Sequence, residues 1–170
     1  MRVPATLLSL ALSVSLVAEH VRSEVQNVPV DRLVASLLRQ VQERPRDLEV
    51  RVNLARVYAM AYAQKVDQIL VGGKDSSQWT PRFTTDFDVA YQQFDVKEPA
   101  NAKVREAAQI HLTRAIAAYR AALQQDPAHK VALIGLGWSL VQAGQKAEAI
   151  TVLRKAVEAA WAHESGPTDR

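Results

Sequence analysis

The sequence predicts an all-α fold. Apolar residues make up 48% of the 170 positions, enough for a hydrophobic core, and alanine, leucine, valine and glutamine are plentiful. In five segments the apolar residues recur every three or four positions, a spacing that places them on one face of a helix. The seven prolines and six glycines fall mostly between these segments. The length leaves room for one domain.

The first eighteen residues have the features of a secretory signal peptide. Arg2 supplies a positive start, and Ala5–Ala18 is an apolar run broken only by small hydroxyl side chains. The run is shorter than the roughly 20 apolar residues that a membrane span needs. We predict a signal peptide over residues 1–18, cleaved after Ala18, with Ser23 as a second possible site. A buried or membrane-anchoring helix is the alternative.

The amino-acid composition restricts the possible cellular location of the protein and the possible classes of partner. The chain has no cysteine, which excludes disulfides, thiolate metal sites and a lipid-modified cysteine. This fits an exported protein, secreted or periplasmic, in a bacterium. The formal net charge is +3, with basic and acidic residues interspersed along the chain. No basic stripe of the kind that binds nucleic acid is present, and we expect no nucleic-acid partner and no stable membrane span after cleavage.

Turn and capping residues separate the five predicted helices. After a linker over residues 19–29, Asp31 is suited to the start of the first helix, and Asp47 follows Pro45 to begin the second. Gly144 separates the last two. The predicted helices span Asp31–Glu43, Leu48–Lys65, Ala102–Gln125, Lys130–Ala143 and Lys146–Ala162. Residues 165–170 are predicted to form a disordered polar tail.

Residues 66–99 interrupt the helical pattern. The cluster Gly72–Ser77 is typical of a turn, and Asp86–Phe94 has the spacing of a short helix. A loop of this length inside a compact domain is often functional. Its aromatic residues predict packing onto the helical body or over a binding surface: Trp79, Phe83, Phe87, Tyr91 and Phe94.

The segment Lys130–Glu158 resembles a tetratricopeptide repeat, an antiparallel helix pair of about 34 residues. Gly137 and Ala149 would let the paired helices approach, while leucines fill the seam. The residues at family spacing are Leu133, Leu136, Gly137, Leu140, Gly144, Ala149, Leu153 and Ala156. The resemblance implies a solenoid of antiparallel helix pairs over residues 30–164.

The repeat phase extends upstream of this segment. Asp126-Pro127 stands where a preceding repeat should end, and its second helix is matched by Ala115, Tyr119 and Ala122. Its first helix is best matched by Leu48–Lys65, so we interpret the chain as one repeat split by the insertion at residues 66–99. Asp31–Glu43 would be a leading half repeat. At the other end, Trp161 replaces the usual closing proline, and we expect the last helix to run on as a cap with Arg154, Lys155 and Glu158 on its polar surface.

The family resemblance implies a protein-binding function. First helices of such pairs line a concave groove that takes peptides or helices. The positions carried over are Val52, Asn53, Arg56, Ala59 and Met60 on one helix, and Val131, Ile134, Trp138, Val141 and Gln142 on the other. From these we predict partner-binding roles for Asn53, Arg56, Met60, Ile134, Trp138, Val141 and Gln142. Trp138 would be the anchor, with Trp138→Ala leaving folding largely intact, unless it packs on Tyr119 or under the insertion. The paired Lys/Asn arrangement of chaperone-tail-binding members is absent.

The sequence contains no catalytic or metal-binding motif. Asp86 and Asp88 lack a calcium-loop glycine and a histidine partner, and there is no phosphate-binding glycine loop, nucleophile elbow or HExxH. We predict a non-catalytic adaptor or scaffold of the bacterial cell envelope, without cofactor or metal. One alternative is a ligand-binding or catalytic domain in which the insertion closes a pocket lined by Arg56, Asp86 or His111. The other is a fragment of a larger repeat array with an exposed apolar face on its first helix.

Overall fold

The computed structural model describes residues 25–72 and 96–164, and most of the regular structure there is helical, as predicted. The elements are β1 Val25–Pro29, α1 Val30–Glu43, α2 Leu48–Gln64, β2 Gln68–Gly72, α3 Ala102–Gln125, α4 Lys130–Gln142 and α5 Lys146–Glu164. The predicted signal peptide with both cleavage sites, the insertion's aromatic residues, Asp86, Asp88 and the tail lie outside the described residues. No helix in the described ranges is long and apolar enough to cross a membrane.

Local signals set the helix ends. The Asp47 carboxylate accepts a hydrogen bond from the Val50 N–H at 3.3 Å, which caps α2. Asn101 does the same for α3, where its side-chain oxygen accepts from the Val104 N–H at 3.0 Å. Asp31 lies in the first turn of α1, as expected for an acid near a helix N-terminus. At its other end α2 stops at Lys65, which takes a left-handed conformation with φ of 56°.

α2 lies at the centre of the molecule, where it contacts α1, α3 and α4. Its most extensive packing is on α3, which runs antiparallel to it. The Tyr58 and His111 rings meet with centroids 6.0 Å apart near one end, and the Gln125 side chain donates to the Pro45 carbonyl at 3.0 Å near the other. The pairing expected between these two helices is therefore present. Their origin as one split repeat stays a prediction.

The α4–α5 hairpin closes tightly, as the residue pattern predicts. A Cβ at Gly137 would lie 2.5 Å from the Leu153 Cγ, so the missing side chain lets the two helices approach. Ala149 is buried on the facing side of α5. Gly144 has φ of +74°, a backbone conformation that glycine adopts without strain, and it forms the turn.

A two-stranded antiparallel ribbon is the element that the sequence did not predict. β1 falls in the expected linker and β2 at the start of the expected insertion, with Val28 opposite Ile69. Both side chains are buried in the core, and the Val30 N–H donates to the Asp67 carbonyl at 2.8 Å. The α1–α2 hairpin thus continues as a β-ribbon at its open end. The Lys97 N–H donates to the Ala63 carbonyl at 2.8 Å, so the insertion leaves and returns at the same end of α2.

A candidate partner-binding groove between α2 and α4

α2 and α4 lie side by side and run in the same direction, because α3 is antiparallel to both. Side-chain contacts join them near each end. At the N-terminal end the His129 Nε2 lies 3.3 Å from a Glu49 carboxylate oxygen. Toward the C-terminal end the Tyr62 and Trp138 rings pack edge to face, with centroids 5.9 Å apart and planes at 71°. The surface between these contacts is the predicted groove.

His129 also caps α4. Its Nδ1 accepts a hydrogen bond from the Ala132 N–H at 3.2 Å, which places the ring proton on Nε2, facing Glu49. The His129 ring therefore caps the N-terminus of α4 and, through Glu49, links that end of α4 to α2. The sequence did not indicate this contact, because the partner Glu49 lies 80 residues away along the chain.

The predicted site residues divide by exposure. Five of them are half-buried along the groove: Asn53, Arg56, Ile134, Trp138 and Gln142. Val141 is 44% exposed. Met60 is only 7% exposed, and Val52 and Ala59 are also buried, so these three side chains contribute packing and not an open surface. The reason is that α2 contacts three other helices at once.

The Trp138 end of the groove is aromatic and basic. Trp138 packs on Tyr62, a contact that the sequence did not indicate. The Lys65 ammonium lies 3.8 Å from the centroid of the same Tyr62 ring and donates to the Tyr62 carbonyl at 2.6 Å. Burial raises the pKa of Tyr62, and burial lowers the pKa of Lys65 while Glu98 opposes that shift.

Arg56 and Tyr119 lie together where α2, α3 and α4 meet. Tyr119 is fully buried, and its ring fills the space that a side chain at Gly135 would occupy. Burial raises the pKa of Tyr119 far above its usual value, and the nearby Arg56 opposes this. Burial lowers the pKa of Arg56, opposed by Tyr119 and Glu49. The role of Gly135 was missed by sequence reasoning, although a second glycine two positions before Gly137 inside a helix was a usable signal.

The described residues do not assemble a metal centre. They contain no group of three His, Cys, Asp or Glu side chains placed to hold a metal ion. His111 is half-buried against Tyr58, and its pKa is lowered by burial and by Arg114, against the opposing effect of Asp31. A cavity of about 270 Å³ opens between α3 and the α4–α5 turn. Its one charged side chain, Arg120, is bound by both carboxylate oxygens of Glu148, at 2.8 and 2.9 Å.

A tetratricopeptide repeat family model matches residues 106–160, which extend from α3 through most of α5. This segment contains a tetratricopeptide repeat. The matched segment is less than half of the chain and includes the Tyr119–Gly135 contact and the α4–α5 hairpin, while α1, α2 and the ribbon lie outside it. Comparisons with curated proteins and with solved structures give no match. Tetratricopeptide repeats generally mediate protein–protein interactions and are generally non-catalytic, which supports an adaptor role.

Proposed function

We propose that this tetratricopeptide repeat protein is a non-catalytic adaptor of the bacterial cell envelope, which binds a peptide or helix of another protein in the groove between α2 and α4. The observation that carries the proposal is the parallel pairing of these helices, joined at Glu49–His129 and at Tyr62–Trp138. Between the two contacts, polar and apolar side chains remain partly open to solvent.

The groove offers two kinds of contact to a partner. Ile134, Trp138 and Val141 follow one another at intervals of four and three residues on α4, so they form a continuous apolar stripe. Opposite them, α2 presents the amide of Asn53 and the half-buried guanidinium of Arg56. An amide can both donate to and accept from a peptide backbone, and a guanidinium pairs best with a carboxylate. The partner that fits has an apolar anchor beside an acidic group.

Val141→Lys tests the groove with little disturbance of the fold. The side chain is 44% exposed, so a lysine there should keep the native stability while placing a charge on the apolar stripe. We expect capture of the partner to fall by about tenfold or more. The measurement is chemical crosslinking of tagged protein in its native envelope, with quantitative mass spectrometry of the captured proteins.

Ile110→Lys is the matched control for this experiment. Ile110 is 47% exposed on α3, away from α4, and the substitution introduces the same charge. We expect this variant to capture the partner as the parent protein does. Equal capture by the Val141 and Ile110 variants would remove the α4 stripe from the binding site.

The proposal that the protein is exported rests on a separate feature, the signal-like residues 1–18 at the start of the chain. Fractionation of the native host, with mass measurement of the purified protein, tests it directly. We expect the protein outside the cytoplasm with its N-terminus at Glu19. An uncleaved chain in the cytoplasm would exclude the envelope role and leave the groove proposal intact.

A further inference from the structure

The outer face of α5 carries a stripe of exposed apolar side chains. Ile150, Val157 and Trp161 are 59%, 54% and 64% exposed. Their separations of seven and four residues place them on one side of the helix, over a length of roughly 16 Å. The side of α5 that packs on the rest of the molecule carries the buried Ala149 and Ala156, about a quarter to a third of a turn around the helix from the stripe. The last helix of a solenoid usually presents a polar surface, and the polar cap expected here is interrupted by this stripe.

Charges border the stripe in a defined order. Arg154 lies one turn from Ile150 and one turn from Val157, and Glu158 follows Arg154 by one further turn on the same side. Both charged residues are exposed. From the N-terminal end, the side chains along this face are therefore apolar (Ile150), basic (Arg154), apolar (Val157), acidic (Glu158) and apolar (Trp161).

We propose that α5 pairs antiparallel with α5 of a second copy of this chain, about a two-fold axis midway between Lys155 and Ala156. In such a pair Ile150 lies opposite Trp161 of the second copy, and Arg154 lies opposite Val157. A two-fold axis perpendicular to both helices brings equivalent sides together. Because Glu158 follows Val157 directly, on the same side as Arg154, each Arg154 guanidinium reaches Glu158 of the second copy. The apolar stripe and the charges are thus self-complementary.

A second copy fits this face better than head-to-tail stacking of repeats does. Stacking of α5 on α1 would need an apolar outer face on α1, and within that helix Leu38 is the only large apolar side chain that is well exposed. Head-to-tail contacts would also continue into filaments, whereas a two-fold pair closes as a dimer.

One helix face buries less than the roughly 1,200 Å² of a standard interface. The dimer should therefore be weak, with a Kd on the order of 10 μM.

Sedimentation equilibrium of the mature chain over a range from about 1 to 500 μM tests the proposal. We expect the average mass to rise from that of a monomer to that of a dimer. Val157→Lys would place a lysine against Arg154 of the second copy and should keep the protein monomeric throughout. The matched control, Ile110→Lys on α3, should dimerise as the parent protein does. Circular dichroism confirms that both variants keep their helical content.

A mixing experiment tests the antiparallel pairing itself. Arg154→Glu alone and Glu158→Arg alone each create like-charge contacts across the two-fold axis, and each should weaken self-association by roughly tenfold. In an equal mixture of the two variants, both contacts join opposite charges, so heterodimers should form at parental strength. A parent protein that stays monomeric, an unaffected Val157→Lys variant, or a mixture that does not associate would each overturn the proposal.

Discussion

Gly135→Ala is expected to lower the free energy of unfolding by about 1–3 kcal/mol, although alanine is favoured over glycine inside most helices by about 1 kcal/mol. A Cβ at position 135 would lie 2.3 Å from the Tyr119 Cζ and 2.5 Å from its hydroxyl oxygen. Tyr119 is fully buried, so its ring has no solvent-exposed space into which it can turn. Urea-induced unfolding, followed by circular dichroism, measures the difference between variant and parent.

The same substitution in a Tyr119→Leu background separates this contact from other causes. Leucine lacks the Cζ and hydroxyl atoms that a Cβ at Gly135 would meet. In that background Gly135→Ala should be neutral or stabilising by about 0.5–1 kcal/mol, as expected from helix propensity. An equal cost in both backgrounds would show that the Tyr119 ring is not what requires glycine at this position.

The sequence predicted the elements whose causes are local. Asp47 and Pro45 stand at the boundary between α1 and α2, and Gly144 stands at the α4–α5 turn, as their residue types indicate. Gly137 was also predicted correctly, because its partner Leu153 belongs to the same short hairpin. In each case the interacting residues lie close together along the chain, so the pattern alone carried the information.

The features that the sequence did not predict depend on contacts between distant segments. β1 has no clear alternation of its own, and it becomes a strand through pairing of Val28 with Ile69, some forty residues later. His129 similarly depends on Glu49. Met60 was expected to line the groove and is buried instead, because helical spacing shows which residues share a face but not how many helices surround α2.

One part of the groove can be predicted from the local spacing of residues, and another part depends on contacts between distant segments. Repeat spacing predicts Ile134, Trp138 and Val141 on one side of α4, and the structure leaves all three at least partly exposed. The packing of Trp138 on Tyr62 is visible only in the three-dimensional structure. A tryptophan that supports the helix pair and also borders the proposed groove would have two roles, and a single substitution would change both.

Trp138→Ala is therefore expected to have two effects. Removal of an anchor side chain that did not pack on the core would affect partner binding alone. Removal of a half-buried indole and its edge contact with Tyr62 should lower the free energy of unfolding by about 2 kcal/mol. It should also weaken partner capture by about tenfold or more, because the apolar stripe on α4 loses its largest member. Unfolding in urea measures the first effect, and quantitative crosslinked capture measures the second.

Tyr62→Leu is the control that distinguishes the two roles of Trp138. It removes the same ring contact from the α2 side, so its cost in stability should be similar. The indole remains available to a partner, so capture should stay near the parental level at a temperature where both variants are folded. Equal loss of capture in both variants would mean that Trp138 acts by supporting the helix pair. Parental stability of Trp138→Ala would instead show that the edge contact with Tyr62 contributes little to the stability of the fold.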